Sequence, residues 1–179
     1  LGQSDLEVRQ DWRLDERHYG ALQGLDKKAT TLKYGVEQTN LWRRSFDVAP
    51  PPVDLSSPEH TRNDPRYRNI SQNDLANTEC LKDVVARVVP FYVQYVVGEL
   101  QNNKNVLITA HGNSLRALVM HIENLSPEQI AKFNIPTGVP RKYEFSNQMK
   151  LVTAGYLGDQ VAIATAINAV SNQSNAENH

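Results

Sequence analysis

A chain of 179 residues, 40% of them apolar and with 19 basic against 20 acidic side chains, suits one domain around a single core. The net charge of −1 leaves no global basic field to steer it to nucleic acid. Cys80 is the sole cysteine, which excludes an intrachain disulfide and points to a reducing compartment such as the cytoplasm. No apolar run reaches the ~18 residues of a membrane span; even residues 88–97 are interrupted by Pro90 and Gln94.

In chain order, residues 12–14 suit a short strand, and residues 27–40 have the polar character of a surface helix. Residues 48–65 hold Pro50-Pro51-Pro52, Pro58 and Pro65, so they neither continue a helix nor fill a central strand. They read as a long ordered loop of the kind that covers binding sites. Residues 77–101 form the best helix. Leu81, Val84, Val85, Val88, Val89, Tyr92, Val96 and Leu100 follow one apolar face. Asn77 or Thr78 is placed to cap it, and Pro90 predicts a kink near residues 86–90.

Asn105-Val106-Leu107-Ile108-Thr109 is a short apolar run that reads as a buried strand, and Ser114-Leu115-Arg116 opens a helix reaching residue 123. Between them, Ala110-His111-Gly112-Asn113 sets an imidazole at the carboxyl end of a strand, where open α/β sheets bind ligands. The first amides of the helix favour an anion there, which suggests phosphoryl chemistry. Ser126-Pro127-Glu128-Gln129 starts another helix with a capping box and proline in its first turn. Residues 142–145 and 149–154 suit strands, residues 159–169 a final helix, and residues 171–179 a frayed tail. Strands alternating with helices indicate a layered α/β sheet.

Residues 12–24, Trp-Arg-Leu-Asp-Glu-Arg-His-Tyr-Gly-Ala-Leu-Gln-Gly, are followed by Leu25-Asp26-Lys27 and Leu41-Trp42-Arg43-Arg44-Ser45. With His111-Gly112-Asn113-Ser114-Leu115-Arg116 and Asn134-Ile135-Pro136-Thr137-Gly138-Val139-Pro140, this order resembles the bisphosphoglycerate-dependent phosphoglycerate mutases of the histidine phosphatase superfamily. The resemblance runs over residues 12–158. It implies an open, mostly parallel sheet flanked by helices in a single domain. It also implies interconversion of 3-phosphoglycerate and 2-phosphoglycerate through a phosphohistidine, with 2,3-bisphosphoglycerate as primer. The expected partner is a small phosphorylated carboxylate, with neither nucleic acid nor membrane involved, and a homo-oligomer fits the family. Two other readings stay open: a bisphosphoglycerate synthase or phosphatase of the same family, and an inactive anion-binding fragment.

One departure stands out. The family carries its phosphate-accepting histidine in an Arg-His-Gly motif on an early strand, and the 179 residues hold no such motif. Arg17-His18-Tyr19 has tyrosine where that glycine belongs. The chain opens on Leu1-Gly2-Gln3, so the expectation is that several dozen N-terminal residues are absent, and that the remainder is not a self-sufficient folding unit.

The resemblance assigns Glu16 as acid/base. Arg13 and Arg17 beside it favour its charged form, whereas a neighbouring phosphoryl dianion favours the protonated one. His111 would stabilise charge on the transferring oxygens, with Gly112 lending its amide and Asn113 a side-chain donor. Arg17, His18 and Tyr19 match substrate contacts, although His18 taken alone, like His60, His121 and His179, suits a structural or solvent role. Arg43 and Arg44 would clamp oxyanions with planar forks, and Lys27 would add a point charge. The histidines and acids lack metal-ligand spacing, so no metal is expected. The loop at 48–64 and the tail from residue 172 are expected to quiet when ligand binds.

Overall fold

The computed structural model describes residues 5–173, with the side chains of Lys27 and of residues 171–173 outside that description. Its first element is not the strand expected at residues 12–14 but a single 3-10 turn, Trp12–Leu14. Asp11 decides this: its carboxylate accepts from the Arg13 amide (3.0 Å) and from Arg13 Nε (2.8 Å), which closes a turn before an extended segment can form.

The surface helix expected at residues 27–40 is two helices, α1 (Lys27–Tyr34) and α2 (Val36–Arg44). Asp26 caps α1 by accepting from the Ala29 amide, and Gly35, at φ +83°, reverses the chain where a side chain would be strained. Tyr34 meets Trp42 edge-to-face across the hairpin, with ring centroids 5.1 Å apart.

The long helix begins later than expected. Thr78 does not cap it, because its hydroxyl donates to the Pro50 carbonyl (2.7 Å). Cys80 is the N-cap instead, and Asp83 reaches back to accept from the Cys80 amide (2.8 Å). Helix α3 (Leu81–Phe91) contains Pro90 and runs into a wide π turn, Tyr92–Val96, before α4 (Val97–Gln101). The proline has no N–H for the Ala86 carbonyl, and the Tyr92 amide reaches both Val88 O and Val89 O. The irregularity expected at residues 86–90 is thus taken up one turn later as a widening.

Helices α5 (Gly112–Ile122) and α6 (Pro127–Lys132) complete the core. Leu81, Val84, Val88, Phe91, Tyr92 and Val96 pack on Ala117, Leu118, Val119 and Ile130. Ser126 and Gln129 form the expected capping box on α6. Strands β1 (Arg141–Phe145) and β2 (Leu151–Tyr156) pair antiparallel from Arg141↔Tyr156, with an irregularity between Glu144 and Phe145. Helix α7 (Gln160–Gln173) follows and buries Ile163. The tail expected to fray from residue 171, the lid segment from residue 172 and His179 fall outside the described side chains.

The described residues combine helices with a sheet, as expected of an α/β chain, but do not show the layered, mostly parallel arrangement. Among the described residues the sheet has two strands and is antiparallel, not layered and mostly parallel. Residues 105–110 join no ladder, and Leu107 is 80% exposed rather than buried. An apolar β-branched run specifies an extended segment, but a strand exists only where a neighbour supplies the hydrogen bonds. No described helix is long and apolar enough to cross a membrane.

Candidate active site

The N-terminus of α5 meets the loop at residues 15–19. His111 is the N-cap of α5, with extended backbone, so the chain arrives from residues 105–110 and turns into the helix at Gly112. A Cβ at Gly112 would meet open space, so nothing among the described residues requires a glycine there. Ser114 donates its hydroxyl to the Asp15 carbonyl, tying α5 to the loop one residue before Glu16.

Glu16 is held from three directions. Its Oε1 accepts from the Arg17 amide (2.8 Å) and from Asn113 Nδ2 (2.6 Å), and its Oε2 accepts from the Asn113 amide (3.3 Å). The same Asn113 Nδ2 donates to the Tyr19 hydroxyl (3.1 Å). Asn113 is oriented in turn by Arg116, whose Nη1 donates to Asn113 Oδ1 (3.0 Å) while Nη2 donates to the Ile130 carbonyl (2.6 Å). A buried amide with its oxygen fixed in this way can present only N–H to the carboxylate.

Four guanidinium groups gather behind this carboxylate. Arg17 is 2% exposed, and its guanidinium donates from Nη2 to the Arg43 carbonyl at 3.3 Å. Its Nε and Nη1 are buried with no hydrogen-bond partner among the described residues. Its guanidinium lies 4.5 Å from the Tyr19 ring centroid, and that of Arg43 lies 5.7 Å from the same ring. Arg44 donates to Asn134 Oδ1 (3.1 Å). Burial, then the Arg43 and Arg17 charges, push the Arg44 pKa below its ordinary range. Arg116 is pushed down to about 10, by burial first and then by Arg44 and Arg17, and still carries its charge at neutral pH. Cations that repel one another while holding buried, unpaired donors are a cradle for an anion.

In front of Glu16 lies a cleft of about 340 Å³, lined among others by Arg17, His18, Tyr19, His60, Tyr67 and His111. Glu16 and His111 therefore share one cleft. Residues 58–61 form part of its wall, and the loop that holds them is pinned: the Ala21 amide donates to Pro51 O (2.8 Å), and the Val53 amide to Asn77 O (2.9 Å). Gly20, at φ +58°, permits this approach, since a Cβ there would stand 2.1 Å from Pro51 O.

His18 is used locally. Its Nδ1 accepts from the Gly20 amide (3.0 Å) and its Nε2 lies 3.3 Å from the Glu59 carbonyl, so the ring braces the turn. His60 is buried and accepts from the Arg62 amide (3.1 Å); burial and the Arg62 and His18 charges lower its pKa. His121 is exposed and packs edge-on against Tyr92. Lys27 begins α1, with its side chain outside the described residues. Among the described residues there is no group of three or more His, Cys, Asp or Glu able to hold a metal ion.

The motif resemblance assigns no role to several residues that matter here. Tyr67, in the loop, donates to Asp15 Oδ2 (2.6 Å), and burial, followed by that bond, pushes its pKa up to about 12. Arg116 falls inside the α5 pattern with nothing to flag it as an anchor for Asn113. Arg87, on α3, and Glu79, just before the helix N-cap, contact the loop, and their only signal is two charges beside an apolar helix stripe.

A carboxylate and an imidazole face one cleft beside a cluster of arginines, a lining whose charge suits an anion. The chain belongs to the histidine phosphatase superfamily (branch 1), whose family model matches residues 1–154. It is 48% identical over 173 residues to the 2,3-bisphosphoglycerate-dependent phosphoglycerate mutase of Borreliella afzelii (strain PKo), covering 97% of this chain and 70% of the relative. The protein of the same name from Borreliella burgdorferi (strain ZS7) is 49% identical over the same shares. That of Treponema denticola is 50% identical over 176 residues, covering 97% of this chain and 71% of the relative.

Proposed function

We propose that this chain carries the substrate-handling groups of a phosphoglycerate mutase, an isomerase interconverting 3-phosphoglycerate and 2-phosphoglycerate. The observation that carries the reading is the Glu16 carboxylate, held by Asn113 at a cleft shared with His111, with the unpartnered donors of Arg17 behind it. In such a site 2,3-bisphosphoglycerate supplies the priming phosphoryl group. The cradle fits it: the buried Nε and Nη1 of Arg17 await acceptor oxygens, and Arg43 and Arg44 add charge beside them.

In this reading Arg17, Arg43 and Arg44 grip the carboxylate and phosphate oxygens of the substrate, which fixes its hydroxyls toward Glu16. Glu16 gives and takes the hydroxyl proton. His111, at the anion-favouring start of α5, donates to oxygens on which charge gathers during transfer. The Arg-His-Gly histidine that accepts the phosphoryl group in the family is not among these 179 residues. The residues present therefore bind, orient and protonate.

Titrating the chain with 3-phosphoglycerate by calorimetry, alongside assays of mutase, synthase and phosphatase turnover, tests the reading. Glu16→Gln should leave binding nearly intact and, in a protein that also carries the phosphate-accepting Arg-His-Gly histidine, cut turnover by ~10²–10⁴, the usual worth of a positioned acid/base. Unchanged turnover in that variant, or no binding by the unaltered chain, would overturn it.

The same reading gives residues 105–110 the role of an inner strand in a layered sheet. Their apolar run, exposed Leu107 and direct entry into α5 support it. Protected backbone amides at residues 106–109 are expected wherever a ladder partner is supplied; rapid exchange there in an active protein would count against it.

A further inference from the structure

The backbone carrying Glu16, Arg17 and His18 is neither helix nor strand, so its polar groups must be satisfied from elsewhere. Two charged side chains outside the motif do much of this. Arg87 Nε donates to Glu79 Oε1 (2.7 Å) and Arg87 Nη2 to Glu79 Oε2 (3.0 Å). The same guanidinium also reaches the Arg13 carbonyl through Nη1 (2.7 Å) and the Glu16 carbonyl through Nη2 (3.3 Å). Glu79 completes the grip: its Oε2 accepts from the His18 amide (2.8 Å), and its own amide donates to the His18 carbonyl (2.9 Å). The loop is thus held before, at and after Glu16 by one buried ion pair.

We propose that Arg87 and Glu79 are positioning residues that hold the Glu16 carboxylate at the cleft by fixing the backbone on both sides of it. The proposal rests on the reading of Glu16 as the group that handles the substrate proton. Stability alone does not explain the pair. Two charges with side chains only 11% and 6% exposed lose much hydration, and an apolar pair of similar volume would serve a core as well. What an apolar pair cannot do is supply donors to two loop carbonyls and an acceptor to a loop amide. A lysine could not do it either, because these bonds leave in the fixed fan of a guanidinium plane. Arg87 stands on α3 between the fully buried Val84 and Val88, which gives the fan a rigid base. Because the pair is neutral overall, it acts on Glu16 through geometry rather than through a net field.

The test uses the whole chain with Arg87→Met and Glu79→Gln, and Val85→Ala as a control on the same helix. The side-chain amide signal of Asn113, which bonds Glu16 and Tyr19, reports whether Glu16 is in place. Calorimetry reads 3-phosphoglycerate affinity, and thermal unfolding reads stability. Both charge variants should shift the Asn113 signal and weaken binding about tenfold or more, the worth of one hydrogen bond to a charged group. Val85→Ala should lower the melting temperature and leave the other two readouts where they were. The proposal is overturned if the charge variants move the Asn113 signal no further than Val85→Ala does. Should Arg87→Met fail to fold, Glu79→Gln decides, since it keeps an acceptor for the His18 amide. Should the unaltered chain bind no 3-phosphoglycerate, the functional reading falls, and the Asn113 signal alone still decides the role of the pair.

Discussion

The contact between α3 and α5 and the loop at residues 11–20 lie side by side, yet opposite kinds of interaction hold them. The helix pair is joined by Leu81, Val84, Val88 and Phe91 against Ala117, Leu118 and Val119, a nondirectional burial of apolar surface. The loop has little regular structure and is fixed by directed bonds: Asp11 to Arg13, Ser114 to Asp15, Asn113 to Glu16, and Arg87 and Glu79 to the backbone around them. The first arrangement tolerates exchange of one apolar residue for another of similar volume. The second depends on each donor meeting its acceptor. A site that must hold a carboxylate to a fraction of an ångström needs the second kind of support, standing on the first.

The sharpest way to break the comparison is at the core. Leu81→Ala, at a position 1% exposed, should cost about 2–5 kcal/mol in urea unfolding while affinity of the folded fraction for 3-phosphoglycerate stays put. Lost affinity at unchanged stability would mean that core and loop are not separable. The converse change, His111→Ala, removes an exposed side chain at the cleft. In a full-length protein that carries the phosphate-accepting histidine it should lower turnover by ~10²–10³ and leave the unfolding midpoint unmoved, with steady-state kinetics beside the melt as the check.

Tyr67→Phe probes the polar side through pH. The folded state holds the Tyr67 proton up to about 12, above the ordinary value near 10, because burial and the bond to Asp15 favour the neutral phenol. The stability this contributes is complete below pH ~10 and is lost as pH rises through about 12. The phenylalanine variant should therefore be less stable at neutral pH by about 1 kcal/mol and show a shallower fall between pH 10 and 12. Identical alkaline melts for the two proteins would remove Tyr67 as a tie between loop and site. The smallest effect lies away from both regions: Ser126→Ala unmakes the capping box of α6 and should cost ~1 kcal/mol, read by thermal melting, with ligand affinity unchanged.

The two regions were not equally legible. Helix α3 followed from the three-four spacing of Leu81, Val84 and Val88, and α6 from Ser126-Pro127-Glu128-Gln129, because each rests on neighbours in the chain. The start of α3 was misplaced, since Thr78 spends its hydroxyl on Pro50, 28 residues away in sequence. Residues 12–14 were misread for a local reason, the turn closed by Asp11. Glu16, Asn113 and the arginines were found by motif resemblance and not by any periodicity. Arg87, Glu79, Arg116 and Tyr67 were missed, because their meaning lies wholly in what they touch.

The sequence by itself determined the apolar face of α3, the start of α6 with its capping box, the place of the imidazole at the start of α5 and membership of the family. These depend on residues within a turn or two of one another, or on motifs that survive as strings. Only the tertiary structure decided that Glu16 lies against Asn113, that Arg17 is buried with unpartnered donors, and that Arg87 and Glu79 brace the loop between them. The pairing of strands belongs there too. Residues 141–145 and 151–156 carry their partner in the next hairpin arm and became a sheet. Residues 105–110, more apolar than residues 141–145 but with no described neighbour, did not, because a strand is completed by hydrogen bonds to another segment rather than by its own side chains.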